Sequence, residues 1–222
     1  MWGLEFLSQN TSTTWAQFER IFLTPKVGND GGDNFSLSNY SNYQTQQYSL
    51  PKFSQVNSKF PRDPNNPVYG MPSNQVYQLV GGQLYNSHLS NPNNYNNACA
   101  IRISRALNYS GQPIPIFTNN SGQQKSEKGS DNLNYILTAE AMLAYMLKTY
   151  PAPTYQYEGS DLKNVYDQIK GKNGIYIIIP NVRDELGASG HADLFYTNDC
   201  LVGGCHLGLP SGGKVYFWQL FN

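Results

Sequence analysis

Long hydrophobic runs are missing from this chain of 222 residues. The strand-like apolar run from Ile175 to Ile179 is far short of the roughly 20 residues that span a bilayer. The amino-terminal segment MWGLEFLSQN also lacks the basic start and the apolar core of a signal peptide. We therefore expect no membrane insertion, and we expect that a protein acting outside the cytoplasm would need other machinery to export it.

An excess of charge of either sign is missing too. Lysine plus arginine number 15, aspartate plus glutamate also number 15, and charged residues make up only 14% of the chain. No basic run is interleaved with aromatic residues, so the electrostatic signature of a nucleic-acid-binding protein is absent. We expect no nucleic acid among the partners.

Cysteine is scarce, with three residues in the chain. Cys99 stands alone, whereas Cys200 and Cys205 enclose only the turn-like tetrapeptide LVGG, which favours one pair and one free thiol. A small disulfide loop is the favoured interpretation if the protein works in an oxidising compartment. The alternative is a zinc site built from Cys200, Cys205 and His206, for which the sequence offers no convincing fourth ligand.

The pattern of apolar residues predicts one α+β domain spanning residues 1–222. Helical spacing occurs in four segments: 13–22, the segment that begins near Cys99, 132–150 and 161–170. Strand-like patterns come later, at 174–180, 191–196 and 214–221. Because helices precede strands, we expect amino-terminal helices packed on a carboxy-terminal antiparallel sheet. Residues 26–73 are polar and rich in proline, and they are predicted to form a long irregular insertion.

Cys99 is the first candidate for chemistry. Asn96 or Asn97 is expected to cap the helix, which places Cys99 in its first turn. A helix amino terminus lowers the pKa of a thiol, and its unpaired amides can bind a developing oxyanion. Since free cysteines are more often inert core residues, Cys99 alone does not establish an enzyme.

His191 is the candidate base, because it follows a flexible Ser-Gly pair and begins a predicted strand. Side chains alternate along a strand, so Asp193 is expected on the same face as His191. Asp193 or Asp199 can orient the imidazole, although a purely structural histidine is an equal alternative. His88 and His206 lie in loops and are weaker candidates.

Six motifs occur in order along the chain: VGGQLYN at 80–86, NNACAIRISRALNYSG at 96–111, KNGIYIII at 172–179, SGHADLF at 189–195, the pair Cys200 and Cys205, and FWQL at 217–220. Together they resemble the fourth family of type VI secretion amidase effectors. The segment TWAQFERIF also resembles that family's first helix. The likeness covers the start of the chain and residues 74–222, but residues 26–73 have no recognised counterpart.

This resemblance implies a papain-like cysteine amidase that needs no metal or other cofactor, with Cys99 as nucleophile and His191 as base. It implies hydrolysis of the D-glutamyl–meso-diaminopimelate amide in peptidoglycan stem peptides by an antibacterial toxin. Such a toxin is made without a signal peptide, is delivered by a component of the secretion machinery to the periplasm of a target cell, and is neutralised by an immunity protein.

One feature departs from the family pattern. The family's triad acid is expected between the paired cysteines, but residues 201–204 contain no acidic side chain. Asp193 is therefore predicted to orient His191, with Asp199 as the alternative. The missing acid keeps two other functions open. One is a papain-like deamidase or transglutaminase acting on proteins, and the other is a wall-binding protein without catalysis.

Overall fold

The computed structural model describes residues 37–42 and 47–222 of the chain. The predicted first helix at 13–22 lies outside the described residues, as do 26–36 and 43–46 of the predicted insertion. Within the described ranges, no helix is long and apolar enough to span a membrane.

Helices dominate the first part of the described chain. They are α1 (Phe53–Lys59), α2 (Ser73–Val80), α3 (Gly82–Ser90), α4 (Cys99–Asn108), α5 (Ala139–Thr149) and α6 (Lys163–Ile169). Short 3₁₀ turns occur at Leu37–Tyr40 and Arg183–Glu185.

In the described part of the chain, the strands form two antiparallel sheets. A small sheet pairs β1 (Ser126–Lys128) with β2 (Asn134–Ile136). The main sheet contains β3 (Tyr155–Gly159), β4 (Asn173–Pro180), β5 (His191–Tyr196), β6 (Asp199–Cys200) and β7 (Gly213–Gln219). Its strand order is β3-β7-β4-β5-β6. The predicted fold class, with helices packed on a late antiparallel sheet, is confirmed.

The main sheet is covered on both faces, as the apolar run in β4 predicts. Ile175, Ile177 and Trp218 belong to a core that also contains buried residues of α1, α4 and α5. Tyr176, Ile178 and Phe217 belong to a second core, together with buried residues of α6 and the Cys200–Cys205 pair. Alternation along the strands therefore divides the buried side chains between two layers.

The helix predicted at 132–150 is shorter than expected. It begins at Ala139, where the hydroxyl of Thr138 accepts a hydrogen bond from the Ala141 amide at 3.1 Å. The preceding residues form β2, and the Ile136 amide donates to the Ser104 hydroxyl of α4 at 2.9 Å. The helical spacing of the apolar residues before Thr138 was therefore misleading, because those side chains pack from a strand.

The prediction of irregular structure across 26–73 is wrong for Phe53–Lys59, which form α1. Phe53 and Val56 are buried in the same core as Cys99 and Trp218. The Phe53 amide donates to the carbonyl of Phe221 at 2.8 Å, so the helix is fixed by the far end of the chain. The helix was not predicted because its apolar pattern is short and prolines, which are typical of irregular structure, lie on both sides of it.

Candidate active site

Cys99 is the first residue of α4, and only 4% of its surface is exposed. The expected asparagine cap is not formed, because the N-cap residue is Ala98. The Asn97 carboxamide oxygen instead accepts a hydrogen bond from the Cys99 amide at 3.0 Å. The backbone carbonyl of Asn97 accepts from the hydroxyl of Tyr77 at 3.0 Å. The turn before Cys99 is thus held from both sides.

His191 begins β5, where it pairs with Ile178 of β4 and is 6% exposed. The preceding Ser189 and Gly190, predicted to be a flexible pair, are both buried. A Cβ on Gly190 would lie 2.5 Å from the carbonyl oxygen of Ile178 and 3.1 Å from the Cβ of Ala139. Glycine is required here because β4 and α5 approach the backbone closely, and this close packing fixes the position of His191.

The side chains of Cys99 and His191 lie close enough to interact, although the two residues lie on different elements. Burial raises the pKa of Cys99, but its interactions with His191 and with the amide of Ala192 outweigh it, so the net pKa is lowered. Burial lowers the pKa of His191, but its interactions with Asp193 and Cys99 outweigh it and raise that pKa to about 9. The site therefore favours a thiolate beside an imidazolium.

Asp193 lies on the same face of β5 as His191, as strand alternation predicts. Its Oδ2 is 3.4 Å from His191 Nε2, which is an ion-pair distance without hydrogen-bond alignment. The carboxylate is fully buried and is held by two backbone amides: Leu194 donates to Oδ1 at 2.7 Å and Val202 to Oδ2 at 2.6 Å. Because Nε2 faces Asp193, Nδ1 is the ring nitrogen left for Cys99.

Asp199 lies elsewhere. It pairs with Tyr196 at the opposite end of β5 from His191, about 16 Å away along a strand of ordinary rise. Its carboxylate accepts a hydrogen bond from the Cys200 amide at 2.8 Å. The geometry therefore pairs His191 with Asp193 and leaves Asp199 outside the site.

The two remaining histidines differ in position. His88 lies on α3 and not in the predicted loop, and its partners are different: its Nδ1 lies 2.7 Å from the Tyr95 carbonyl oxygen and its ring stacks on Tyr77 with centroids 4.4 Å apart. His206 was rated a weak candidate from its loop position, yet its ring centroid lies 4.7 Å from that of His191. Its place directly after Cys205 was the only signal in the sequence that could have indicated this contact.

Cys200 and Cys205 form a disulfide. This pairing confirms the favoured interpretation of the two cysteines. The zinc alternative is wrong, because oxidised sulfurs offer no thiolate ligands. Within the described residues, no group of three or more histidine, cysteine or acidic side chains is arranged to hold a metal ion.

A thiol at a helix start, an imidazole in contact with it and a buried carboxylate behind the imidazole are the parts of a thiol-dependent acyl-transfer site. Together with the α+β fold, they define the class of cysteine amidases and peptidases.

The family profile described as type VI secretion system amidase effector protein 4 matches residues 95–218. The chain belongs to this family of amidases, which act on peptidoglycan.

Solved structures of this family share the fold. The effector Tae4 from Enterobacter cloacae is 26% identical with a TM-score of 0.61, and the match covers 79% of this chain and 99% of that chain. The Tae4–Tai4 effector–immunity complex from Enterobacter cloacae matches at 27% identity and a TM-score of 0.58, covering 77% of this chain and 99% of that chain. A selenomethionine variant of the Salmonella typhimurium Tae4/Tai4 system matches with the same coverage at 27% identity and a TM-score of 0.59. Curated protein sequences gave no match.

Alkylation of Cys99 tests the thiolate–imidazolium pair without any substrate. The disulfide protects Cys200 and Cys205, so iodoacetamide uptake by the folded protein reports on Cys99 alone. We expect His191→Ala to slow alkylation near neutral pH and to move its rate profile to higher pH, because the largest opposition to the effect of burial on the thiol pKa is then removed. Rates are measured by mass spectrometry from acidic to alkaline pH, with Cys99→Ser as the blank. An unchanged profile would show that His191 does not activate the thiol.

Proposed function

We propose that this chain hydrolyses the D-glutamyl–meso-diaminopimelate amide of peptidoglycan stem peptides, with Cys99 as nucleophile, His191 as general base and Asp193 as the residue that orients His191. The contact of Cys99 and His191 at the start of α4 is the observation that carries this proposal. Membership of the amidase effector family supports the substrate class.

In the proposed reaction, the Cys99 thiolate attacks the carbonyl carbon of the amide and the carbonyl oxygen becomes an oxyanion. His191 then donates its proton to the departing amine, and the C–N bond breaks to leave a thioester on Cys99. Water, deprotonated by the now neutral His191, attacks the thioester and releases the carboxylic acid. The C–S bond breaks, and the site returns to the Cys99 thiolate and the His191 imidazolium.

The oxyanion needs donors that lie beside Cys99. The Cys99 amide is already engaged by the Asn97 carboxamide oxygen, which orients the opposite end of that carboxamide as an N–H donor. Asn97 is exposed, whereas Cys99, two residues later, is buried. Asn97 is therefore our candidate for the oxyanion donor, a role that the sequence pattern did not indicate.

We also propose that residues 1–222 form one amidase domain, with 26–73 as an insertion into it. Supporting this, Tyr40 stacks on Phe117 with ring centroids 5.2 Å apart, and the Gly70 amide donates to the Leu201 carbonyl at 2.7 Å. The described part of the insertion thus packs against and hydrogen-bonds to residues from the rest of the fold.

The central test is cleavage of purified peptidoglycan from a Gram-negative bacterium. The wild-type protein is expected to release muropeptides cut between D-glutamate and meso-diaminopimelate, and Cys99→Ala to release none, because the nucleophile is lost. Products are identified by mass spectrometry. Wild-type protein that sediments with the wall without new products would favour a wall-binding function, and new modification of an added protein substrate would favour a deamidase or transglutaminase.

Asp193 and Asp199 are separated by paired substitutions. Asp193→Asn should lower kcat by about 100-fold or more, within the ~100- to 10,000-fold contribution of a positioned proton transfer. Both Asp193 oxygens accept backbone amides, and an asparagine can accept with only one end. Asp199→Asn is the matched control and should stay close to wild type. Thermal unfolding of both variants is recorded alongside, and equal activity of two folded variants would contradict the role of Asp193.

We further propose that the protein is secreted, acts in the periplasm of a target cell and is neutralised by an immunity protein, as the Tae4–Tai4 complexes indicate for the effectors of Enterobacter cloacae and Salmonella typhimurium. An acceptor cell that directs this chain to its periplasm should lyse, because the enzyme then reaches its substrate.

The immunity partner is sought by expressing genome fragments from the source organism in such cells. We expect surviving cells to produce one protein, and that protein to block wall cleavage when it is mixed with the enzyme at an equimolar ratio. Survivors that carry only inactivating changes in the enzyme would contradict an immunity partner.

A further inference from the structure

A second imidazole lies against His191, and the proposed reaction does not use it. The rings of His191 and His206 meet edge to face, with centroids 4.7 Å apart and planes at 76°. This is a favoured arrangement for aromatic pairs, since the positive edge of one ring meets the negative face of the other. His206 therefore contacts the proposed base directly.

The loop that carries His206, residues 201–207, is held on several sides. The disulfide between Cys200 and Cys205 closes its first part, just before His206, and the buried hydroxyl of Tyr176 donates to the Cys205 carbonyl at 2.8 Å. The same part of the loop supplies the Val202 amide that donates to Asp193 Oδ2. The loop thus touches both His191 and the carboxylate behind it.

The backbone at His206 lies in the left-handed region, with φ of 53°. Two other residues of this loop in that region are Gly203, with φ of 70°, and Gly204, with φ of 80°. A side chain with a Cβ costs conformational free energy there, and glycine would relieve that cost. A histidine at such a position indicates that its ring, and not its backbone, is what the site needs.

The charge state of His206 suits contact with an imidazolium. Burial, with repulsion from His191, lowers the pKa of His206 to about 3, so its ring stays neutral at physiological pH. The other groups that act on His191 are Asp193 and Cys99, and Arg102 acts on Cys99 from within α4. A neutral ring on this side covers His191 without adding a competing positive charge.

We propose that His206 is a positioning residue, whose ring fixes the plane of His191 and excludes water from its contact with Asp193, so that His191 stays directed at Cys99. This inference rests on the proposed function of the Cys99–His191 pair. The packing of the ring carries the effect, and no proton passes through His206.

Two substitutions separate ring packing from polarity. His206→Phe keeps an aromatic ring and removes both nitrogens. His206→Asn removes the ring, keeps a polar group near the position of Nδ1 and tolerates the left-handed backbone. The control is Leu207→Ala, which removes a partly buried side chain of the adjacent residue on the same loop.

The readouts are kcat and KM on peptidoglycan fragments, the pH profile of Cys99 alkylation, and thermal unfolding. We expect His206→Asn to lower kcat by about 10-fold or more with little change in KM, a part of the ~100- to 10,000-fold effect of a positioned proton transfer. Its alkylation profile should show the pKa of His191 falling from about 9 toward that of an exposed histidine. His206→Phe and Leu207→Ala should both stay close to wild type in kcat and in the alkylation profile.

Any result in which folded His206→Phe performs no better than folded His206→Asn overturns the proposal, since polarity or mere loop stability would then explain the effect. Wild-type activity in His206→Asn overturns it as well. If the wild-type protein cleaves no peptidoglycan, the proposed function fails on its own, while the alkylation profiles still decide whether His206 positions His191.

Discussion

The buried contact of the Cys99 thiol with the His191 imidazole joins two elements that are far apart in the chain. It forms because α4 begins against the start of β5, and because Gly190 lets β4 and α5 close on the backbone before His191. Burial by itself opposes charge on both groups. The pair is favoured as thiolate and imidazolium only when both partners and the Asp193 carboxylate are fixed in place. The amides that hold Asp193 and the turn that holds Cys99 therefore both stabilise the thiolate–imidazolium pair.

Much of the fold was readable from the sequence. The continuous apolar run of β4 predicted a strand buried on both faces, and the pattern around Cys99 predicted a helix that begins there. The helix predicted at 132–150 was too long, because Leu133, Ile136 and Leu137 have helical spacing but pack from a short hairpin and its end. Helix α1 was missed, because its few apolar residues gain their partners from the last residues of the chain.

Part of the site could be predicted because it depends on local geometry. Side chains alternate along a strand, so the sequence alone placed Asp193 on the same face of β5 as His191. The contact between His206 and His191 depends on the conformation of a glycine-rich loop. The spacing of apolar residues, from which helices and strands are predicted, does not determine loop conformation. The helix cap was also mispredicted: Asn97 binds the Cys99 amide from outside the cap position.

The stretch between the paired cysteines contributes to the site without an acidic side chain. Where the family pattern led us to expect an acid, this chain offers the backbone amide of Val202, which donates to Asp193. A carboxylate on β5 and an amide on the loop thus lie together beside His191.

Arg102, one turn after Cys99, shows why this molecule cannot be trimmed to the residues that match the family profile. Its buried guanidinium donates through Nε and Nη2 to the carbonyl of Met71, at 2.9 and 2.6 Å. Residues 95–218 alone would lack that acceptor, and they would expose Ile101, which packs with Val76 and Tyr77. The portion recognisable by family likeness is therefore smaller than the unit that must fold. A fragment trimmed to it would take the Met71 carbonyl away from Arg102 and open an apolar surface on the helix that begins with Cys99.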